Sequence, residues 1–522
     1  MARPVFRALW IAQLGSNLGT WMQMVGAQWM LVSAPNAATL VPLVQTAGLL
    51  PAVFLSVPAG ILADALNRRG LLVAVQTGMA VAAAALAVVT ALGATDPAVL
   101  LLLLFVLGCG QALAGPAWQA VQPELVPRAQ IPAAVALGSM SINVARAVGP
   151  AVGGVLVAWS GPTAVFAINA VSFAGVVAVL LAWHRPVATT TLRAERAVPA
   201  LRAGTRYVRY APIVRRLFLR SVLFVVPASA LWALLPLAAS GPLGLGSAGY
   251  GILLGALGLG AVIGAVGLPA LRARHTANQV LAASGTVFAG ACAVLGLVGD
   301  PLVVSATLLL AGAAWLAVLS TLNASLQLVL PEWVRARGLG AYLVVFMGGQ
   351  ALGSFLWGLV AGAAGLTATL LTAAAGLLLC ALSVLWWPVP AATEHLDRTP
   401  SLHWPEPMLL VEPHPDDGPV LVIKTYRVAP DRLAPFLTAL DAVRESRRRT
   451  GAMDWSVYQD GADPERIVEL FAVRSWGEHL SQHGGRLTGA DRDLEAAAEA
   501  LARESLGVRH LFPPGTATAP PP

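Results

Sequence analysis

The stretch Gly60-Ile61-Leu62-Ala63-Asp64-Ala65-Leu66-Asn67-Arg68-Arg69 governs how the rest of the chain is read, because it sets an acid and two arginines between two long apolar runs. The flanking runs, residues 39–63 and 71–93, each exceed the roughly 20 residues that carry a helix across a bilayer. A short charged segment between two such runs is a loop on one membrane face. In it Gly60 permits close helix packing, Asp64 can accept hydrogen bonds at a neighbouring helix N-terminus, and the arginines stay in water.

Outward from this loop, further apolar runs occupy residues 8–33, 98–117, 132–157 and 163–184 and, after a longer polar break, 216–239, 247–270, 277–298, 302–328, 339–362 and 366–387. That pattern predicts twelve spans, six in each half. Composition agrees, since a chain that is 57% hydrophobic and 11% charged, with a mean hydropathy of +0.72, must turn most of its surface to lipid. The first run follows Arg3 and Arg7 as the core of a signal peptide would. It nevertheless contains Gln13, Asn17, Gln23 and Gln28, reaches spanning length and leads straight into another span, so it reads as a retained helix.

The arginines test the count. They sit at residues 3 and 7, at 68 and 69, at 128, between 185 and 216, at 272 and 274, and at 335 and 337, which are alternate loops; the intervening loops have neither Lys nor Arg. By the positive-inside rule both termini and the central loop are cytoplasmic. Residues 1–390 hold 19 Arg against 6 acids, whereas residues 391–522 hold 14 basic residues against 20 acids, so two regions face different solvents. The basic excess belongs to membrane loops rather than to a nucleic-acid surface, and no nucleic-acid partner is expected. Cys109, Cys292 and Cys380 lie in apolar runs without disulfide or metal spacing.

The segment Gln119, Val121, Pro123, Glu124, Val126 recurs as Gln327, Val329, Pro331, Glu332, Val334, in the loops after the fourth and tenth spans. Each copy alone is an ordinary helix start, with proline in the first turn and an acid favoured by the dipole; matching place and spacing point to a duplicated architecture.

With these features in place, residues 1–390 resemble the major facilitator superfamily. Gly60 to Asp64 with Arg68 and Arg69 is similar to its signature loop, which implies a conformational latch formed by Gly60, Asp64, Arg68 and Arg69. Ala65 and Asn67 depart from the pattern, and the matching second-half loop lacks an acid, which implies a latch centred on Asp64. Gly149-Pro150-Ala151-Val152-Gly153-Gly154 resembles the end of the antiporter motif of that superfamily, which implies export rather than uptake. Its glycines give a smooth helix face and Pro150 a kink.

Arg146 falls near the middle of the fifth span, where an arginine costs about 2.5–3.5 kcal/mol on insertion scales. It is either an anion-binding or gating residue in a central cavity or a structural arginine bonded to carbonyls and to Asn143. On the first helix Gln13, Asn17, Thr20 and Gln28 form a polar stripe beside Trp21, which lines a path or bonds neighbouring helices. Asn323 and Gln350, in the second half, take the same two readings. The membrane-region acids fall at helix ends or in loops, so proton coupling uses Asp64 or Glu124, involves Arg146, or is absent. No phosphate-binding loop is present, and the sole lysine is Lys424. Arg220, a turn inside the seventh span, is expected to snorkel.

Beyond a Pro- and His-containing linker, strands are predicted at Val420–Arg427, Met453–Gln459, Arg466–Val473 and Val508–Leu511. Helices are predicted at Pro430–Arg448, Ser475–His483 and Asp491–Ser505. That order looks like a ferredoxin-like module, similar to small antibiotic-biosynthesis monooxygenases. Trp476-Gly477-Glu478-His479 and His483 are similar to the tail of the bacterial exporters termed transmembrane secretion effectors, an enterobactin-exporter-like group. His479 and His483 share a helix face, and a pair without further ligands reads as surface histidine.

The expected protein is thus an all-α, twelve-helix major facilitator fold with a small α+β ferredoxin-like cytoplasmic domain. Its parts are a six-helix half at 1–185, a central loop at 186–215, a second half at 216–388, a linker at 389–418, the small domain at 419–512 and a disordered tail at 513–522. The resemblance implies a monomeric bacterial inner-membrane transporter, not an enzyme, that exports a small organic molecule of the drug or siderophore class. No cofactor or metal is expected. An importer on the same scaffold, and a tail acting as ligand sensor or enzyme, are the alternatives.

Overall fold

The structure is a computed structural model that describes residues 4–183, 197–390, 397–405, 407, 409, 410 and 413–514, without the side chains of residues 64, 65 and 197–201. The Asp64 carboxylate, Arg3, Arg185, Arg193, Arg196 and most of the terminal tail are therefore outside the described residues. Helices α1 (Pro4–Leu31), α2 (Ala37–Ala65), α3 (Arg68–Ala91), α4 (Pro97–Val121), α5 (Ile131–Ala182) and α6 (Ala197–Tyr210) come first. They are followed by α7 (Pro212–Ser240), α8 (Ser247–Arg274), α9 (Ala277–Leu297), α10 (Pro301–Val329), α11 (Glu332–Ala364) and α12 (Leu366–Leu382).

Nine helical stretches among the described residues are long and apolar enough to cross a membrane. α1 is not one of them, because its amides dilute its hydropathy, and α12 is shorter than its apolar run suggests. The predicted fifth and sixth spans are assigned as one helix, α5, interrupted at Gly161, whose φ of 74° belongs to the left-handed region that glycine tolerates. Acids and amides at the helix starts act as caps: Asn67 accepts from the backbone of Arg69 and Gly70, Asp96 from Ala98, and Asp300 from Leu302 and Val303.

The chain gathers into two compact units. The first comprises Met1–Ala194, Leu219–Leu322 and Tyr342–Val389; the second comprises Glu195–Phe218, Asn323–Ala341 and Pro390–Pro522. In the first unit the halves merge because α5 packs on α1 along one side and on α8 along another, with backbones in contact at glycines. Arg220 is buried here rather than snorkelling. It donates to Ser383 Oγ at 3.1 Å, to the Ser383 carbonyl at 2.9 Å and to the Trp387 carbonyl, capping the chain beyond α12. The carbonyls freed at that helix end outcompete water for the guanidinium.

In the second unit β1 (Val420–Arg427), β2 (Ala452–Gln459), β3 (Arg466–Val473) and β4 (Glu504–Leu511) form an antiparallel sheet in the order β2-β3-β1-β4. Helices α13 (Leu433–Thr450), α14 (Trp476–Ser481) and α15 (Gly489–Glu499) complete it. The predicted helix over Asp491–Ser505 ends at Glu499, since the chain must turn for Arg503 N–H to reach the Arg427 carbonyl and for β4 to pair with β1. The central loop, predicted without structure, contains α6, which packs on α13; its Tyr207 lies edge-on to Trp333 at 5.6 Å. Arg206 pairs with Glu478 at 3.2 Å, and Trp333 donates to the Arg486 carbonyl at 3.2 Å.

A charged network lies inside this unit. Arg447 bonds Glu469 at 3.1 Å and Glu495 at 2.6 Å, while Tyr426 and Trp455 donate to Glu469 and Trp404 to Glu495. Burial, the largest single effect, would raise the Glu495 pKa, but Arg447, His403 and Lys424 together outweigh it and hold the carboxyl below its ordinary value. Asp491, beside Arg449, is depressed in the same way.

Two outcomes follow. Arg220→Ala removes charge-assisted bonds worth about 1.5–3 kcal/mol each and should lower the melting temperature of the detergent-solubilised protein by several degrees. Lysine at this position should restore little, since it cannot fork to the same carbonyls. Carboxylates held below their ordinary pKa contribute stability above about 4.5 and lose it as pH falls through the folded value. Tryptophan fluorescence should therefore report acid unfolding of the second unit below about pH 4.5, with a weaker pH dependence in Glu495→Gln.

Candidate functional site

Helix α5 positions the site. Its small residues bring its backbone against two partners at once: a Cβ on Gly149 would lie 2.7 Å from Trp21 Cβ, on Gly153 2.7 Å from Met22 Cα, and on Gly154 2.4 Å from the Ser247 carbonyl. From α8, Gly251 meets the Pro150 carbonyl and Gly258 meets Ala147. The antiporter-like glycines are thus the contact surface of α5 with both α1 and α8. Among the described residues nothing lies within 4 Å of where a Cβ on Gly60 would stand.

One turn before Gly149, Arg146 projects over the Trp21 ring at 5.8 Å, within cation–π range. Asn143 is exposed and donates instead to the Ser139 carbonyl, so it is not the partner that a structural arginine would have there. The Nε of Arg146 is buried without a hydrogen-bond partner. Trp21 leads to Trp232 of α7 at 6.4 Å, Trp232 to Trp315 of α10 at 5.5 Å, and Trp315 to Phe346 of α11 at 5.8 Å. Trp232 Nε1 and Gln13 Oε1 are also buried and unpartnered. Native proteins rarely leave such atoms unsatisfied, and here two donors and an acceptor go unused on helices α1, α5 and α7.

The α1 stripe divides. Gln13 donates to Asn17 at 3.0 Å, and Asn17 donates to Ser141 of α5 at 3.1 Å, extending the site. Thr20 donates to the Ser16 carbonyl, and Gln28, like Gln23 outside the stripe, is taken up by a buried bond that joins helices, Gln28 accepting from Tyr250 and Gln23 from Asn169. Gln350 is half-buried on α11. Asn323, by contrast, accepts from Gln327 one turn away in the second unit and does not join the cluster. Trp232 and Ser141 escaped the sequence reading because tryptophan and serine inside apolar runs carry no distinguishing spacing.

The proposed latch arginines act within the first half. Arg68 pairs with Glu124 at 2.7 Å, joining the start of α3 to the repeat loop after α4, and Arg69 donates to the Leu180 and Leu181 carbonyls at 2.7 and 2.8 Å. Asn67 caps α3, which accounts for its place where the resembled motif has glycine. Glu332 opens α11 as Glu124 follows α4, and in the last turn of α8 Arg272 donates to Ser320 and Thr321.

A family profile described as "Transmembrane secretion effector" matches residues 1–512, the small sheet domain included. The chain belongs to the transmembrane secretion effectors. It is a multi-pass transporter of the major facilitator type, as its resemblance predicted. Among curated relatives of this secretion effector is the staphyloferrin A transporter of Staphylococcus aureus, 27% identical over 220 residues, which are 42% of this chain and 55% of that protein. Another is the multidrug efflux pump Tap of Mycobacterium tuberculosis, 28% identical over 280 residues, covering 48% of this chain and 65% of Tap. The chain thus spans a little over half to about two thirds of the length of these relatives.

Solved structures match the fold. The nucleoside transporter NupG aligns with a TM-score of 0.56 at 16% identity over 74% of this chain and 99% of that one. An inward-facing, occupied bacterial homologue of the human lysosomal transporter Spinster gives 0.60 at 13% over 73% and 96%.

The glycine contacts yield a paired test. Gly154→Ala forces a methyl into the Ser247 carbonyl and should cost about 1–3 kcal/mol, seen as a lower melting temperature. Gly60→Ala, entering open space in a helix, should leave stability unchanged or raise it by up to about 1 kcal/mol. Equal losses in both would refute the contact assignment.

Proposed function

We propose that this secretion effector is a secondary exporter of small organic molecules of the drug or siderophore class, working by alternating access between two six-helix halves. The twelve spans of this scheme are the nine apolar stretches, with α5 divided at Gly161, together with α1 and α12. The alternation of loop arginines supports cytoplasmic termini. The strand order β2-β3-β1-β4, with helices between β1 and β2 and between β3 and β4, supports a ferredoxin-like domain on the cytoplasmic side.

The observation that carries the proposal is the cluster of Arg146, Trp21 and Trp232. A guanidinium and an indole N–H without partners, walled by aromatic rings, suit a planar, oxygen-rich or anionic molecule that supplies the missing acceptors. An arginine in a span is tolerated where it faces such a cavity. Export, rather than uptake, is supported by the packing of the antiporter-like glycines and by the likeness to Tap, a multidrug efflux pump.

A susceptibility panel of drugs and siderophores on a deletion strain should reveal at least one compound that the wild-type gene clears and Arg146→Ala does not. Losing one charge-assisted contact of about 1.5–3 kcal/mol corresponds to roughly ten- to hundredfold weaker transport. In inside-out vesicles that compound should accumulate, with and without a proton gradient distinguishing coupled from uncoupled transport. Accumulation in right-side-out vesicles alone would overturn export.

A further inference from the structure

The sequence offered His479 and His483 as an isolated pair; β4 brings a third. His510 Nε2 lies 2.9 Å and His483 Nε2 3.2 Å from His479 Nε2, and the ligand-capable nitrogens of all three lie within 4.8 Å of one another. The pair reaches this point because the chain at Gln482–Arg486 widens into a π-helical turn that reverses at Gly485, φ 118°. Such turns recur at functional sites.

Hydrogen bonding fixes the state of His479. Thr450 Oγ1 donates to the Ser446 carbonyl at 2.8 Å, so it accepts from Gln482 Nε2 at 3.2 Å. That orients the amide so that Gln482 Oε1 accepts from His479 Nδ1 at 2.9 Å. The proton is then on Nδ1, and Nε2 carries a bare lone pair facing two further ring nitrogens. A single in-plane lone pair accepts one N–H well, which leaves the third nitrogen without a reason to approach. A cation at the centre satisfies all three.

Two of the three separations, 2.9 and 3.2 Å, suit one, and His483 and His510, within 4.8 Å of each other, need only draw together on binding. Metal–nitrogen bonds of about 2.0–2.1 Å at the tetrahedral angle separate ligand atoms by about 3.3 Å. The donors are all imidazole, which suits zinc, copper(II), nickel, cobalt or iron(II) rather than magnesium or calcium. Gln482 supplies the second contact that orients a ligating histidine. Arg447, the nearby buried cation, is neutralised by Glu469 and Glu495. Trp404, with its ring 5.0 Å from His483, and Trp476, 5.7 Å from His510, flank the cluster.

We propose that His479, His483 and His510 form a three-histidine site for a divalent transition-metal ion in the C-terminal domain, with a fourth coordination position left for water or a small ligand. The site stands whatever the substrate or direction of transport.

The test uses the full chain in detergent, purified through a histidine-free tag, stripped with chelator and titrated with zinc against a chromogenic competitor. The wild type should take up one zinc per chain that the His483→Ala/His510→Ala double variant does not. Gln482→Ala should keep the stoichiometry while binding roughly 10- to 100-fold more weakly, and His414→Ala should match the wild type. Cobalt(II) should give the intense visible bands of a four-coordinate ion. Zinc uptake that is equal in wild type and double variant, or a weak six-coordinate cobalt spectrum in the wild type, would overturn the site. Should circular dichroism show the double variant unfolded, the cobalt spectrum and the Gln482→Ala affinity decide in its place.

Discussion

The first unit depends on the approach of α5 to α1 and α8 at backbone distance. Lipid offers no hydrophobic drive for one helix to join another, so association rests on surfaces smooth enough for backbones to touch. Gly149, Gly153 and Gly154 supply such surfaces in opposite directions from one helix, and Gly251 and Gly258 answer from α8. Because α1 and α5 precede the central loop and α8 follows it, this contact unites the two halves. It also holds Arg146 one turn from the seam, over Trp21, so the fold and the candidate site share one cause.

The spans were legible because the bilayer imposes length and hydropathy on every one of them, and the arginines repeat the information independently. Where the sequence misled, a tertiary partner decided. Arg220 was assigned to water and instead caps the chain after α12, since carbonyls at a helix end bind a guanidinium more tightly when both are buried. α6 was read as loop because its charges dominate; the signal lay in Ala203 and Tyr207, four apart and both buried.

The site was partly legible. A lone arginine in mid-span announces itself, as do the glycines beside it. The aromatic row does not, because a tryptophan in an apolar run looks the same whether it anchors, packs or lines a path. The third histidine was invisible for a topological reason: His510 lies 31 residues from His479 and meets it only because β4 pairs with β1. Sequence shows neighbours along a helix; sheets assemble strangers.

The helix α6 carries a final implication. Tyr207 is buried against Trp333, and Tyr210 lies beneath Arg448 of α13, so the apolar face of α6 is sheltered within the second unit. A chain shortened at the linker would keep Trp333 but lose α13, baring the Tyr210 side of that face while leaving its arginines in place and producing a partly uncovered cationic amphipathic helix. Such a helix settles on anionic headgroups. Truncation would then do more than subtract a domain, since it would convert the helix of the central loop into a membrane-surface anchor.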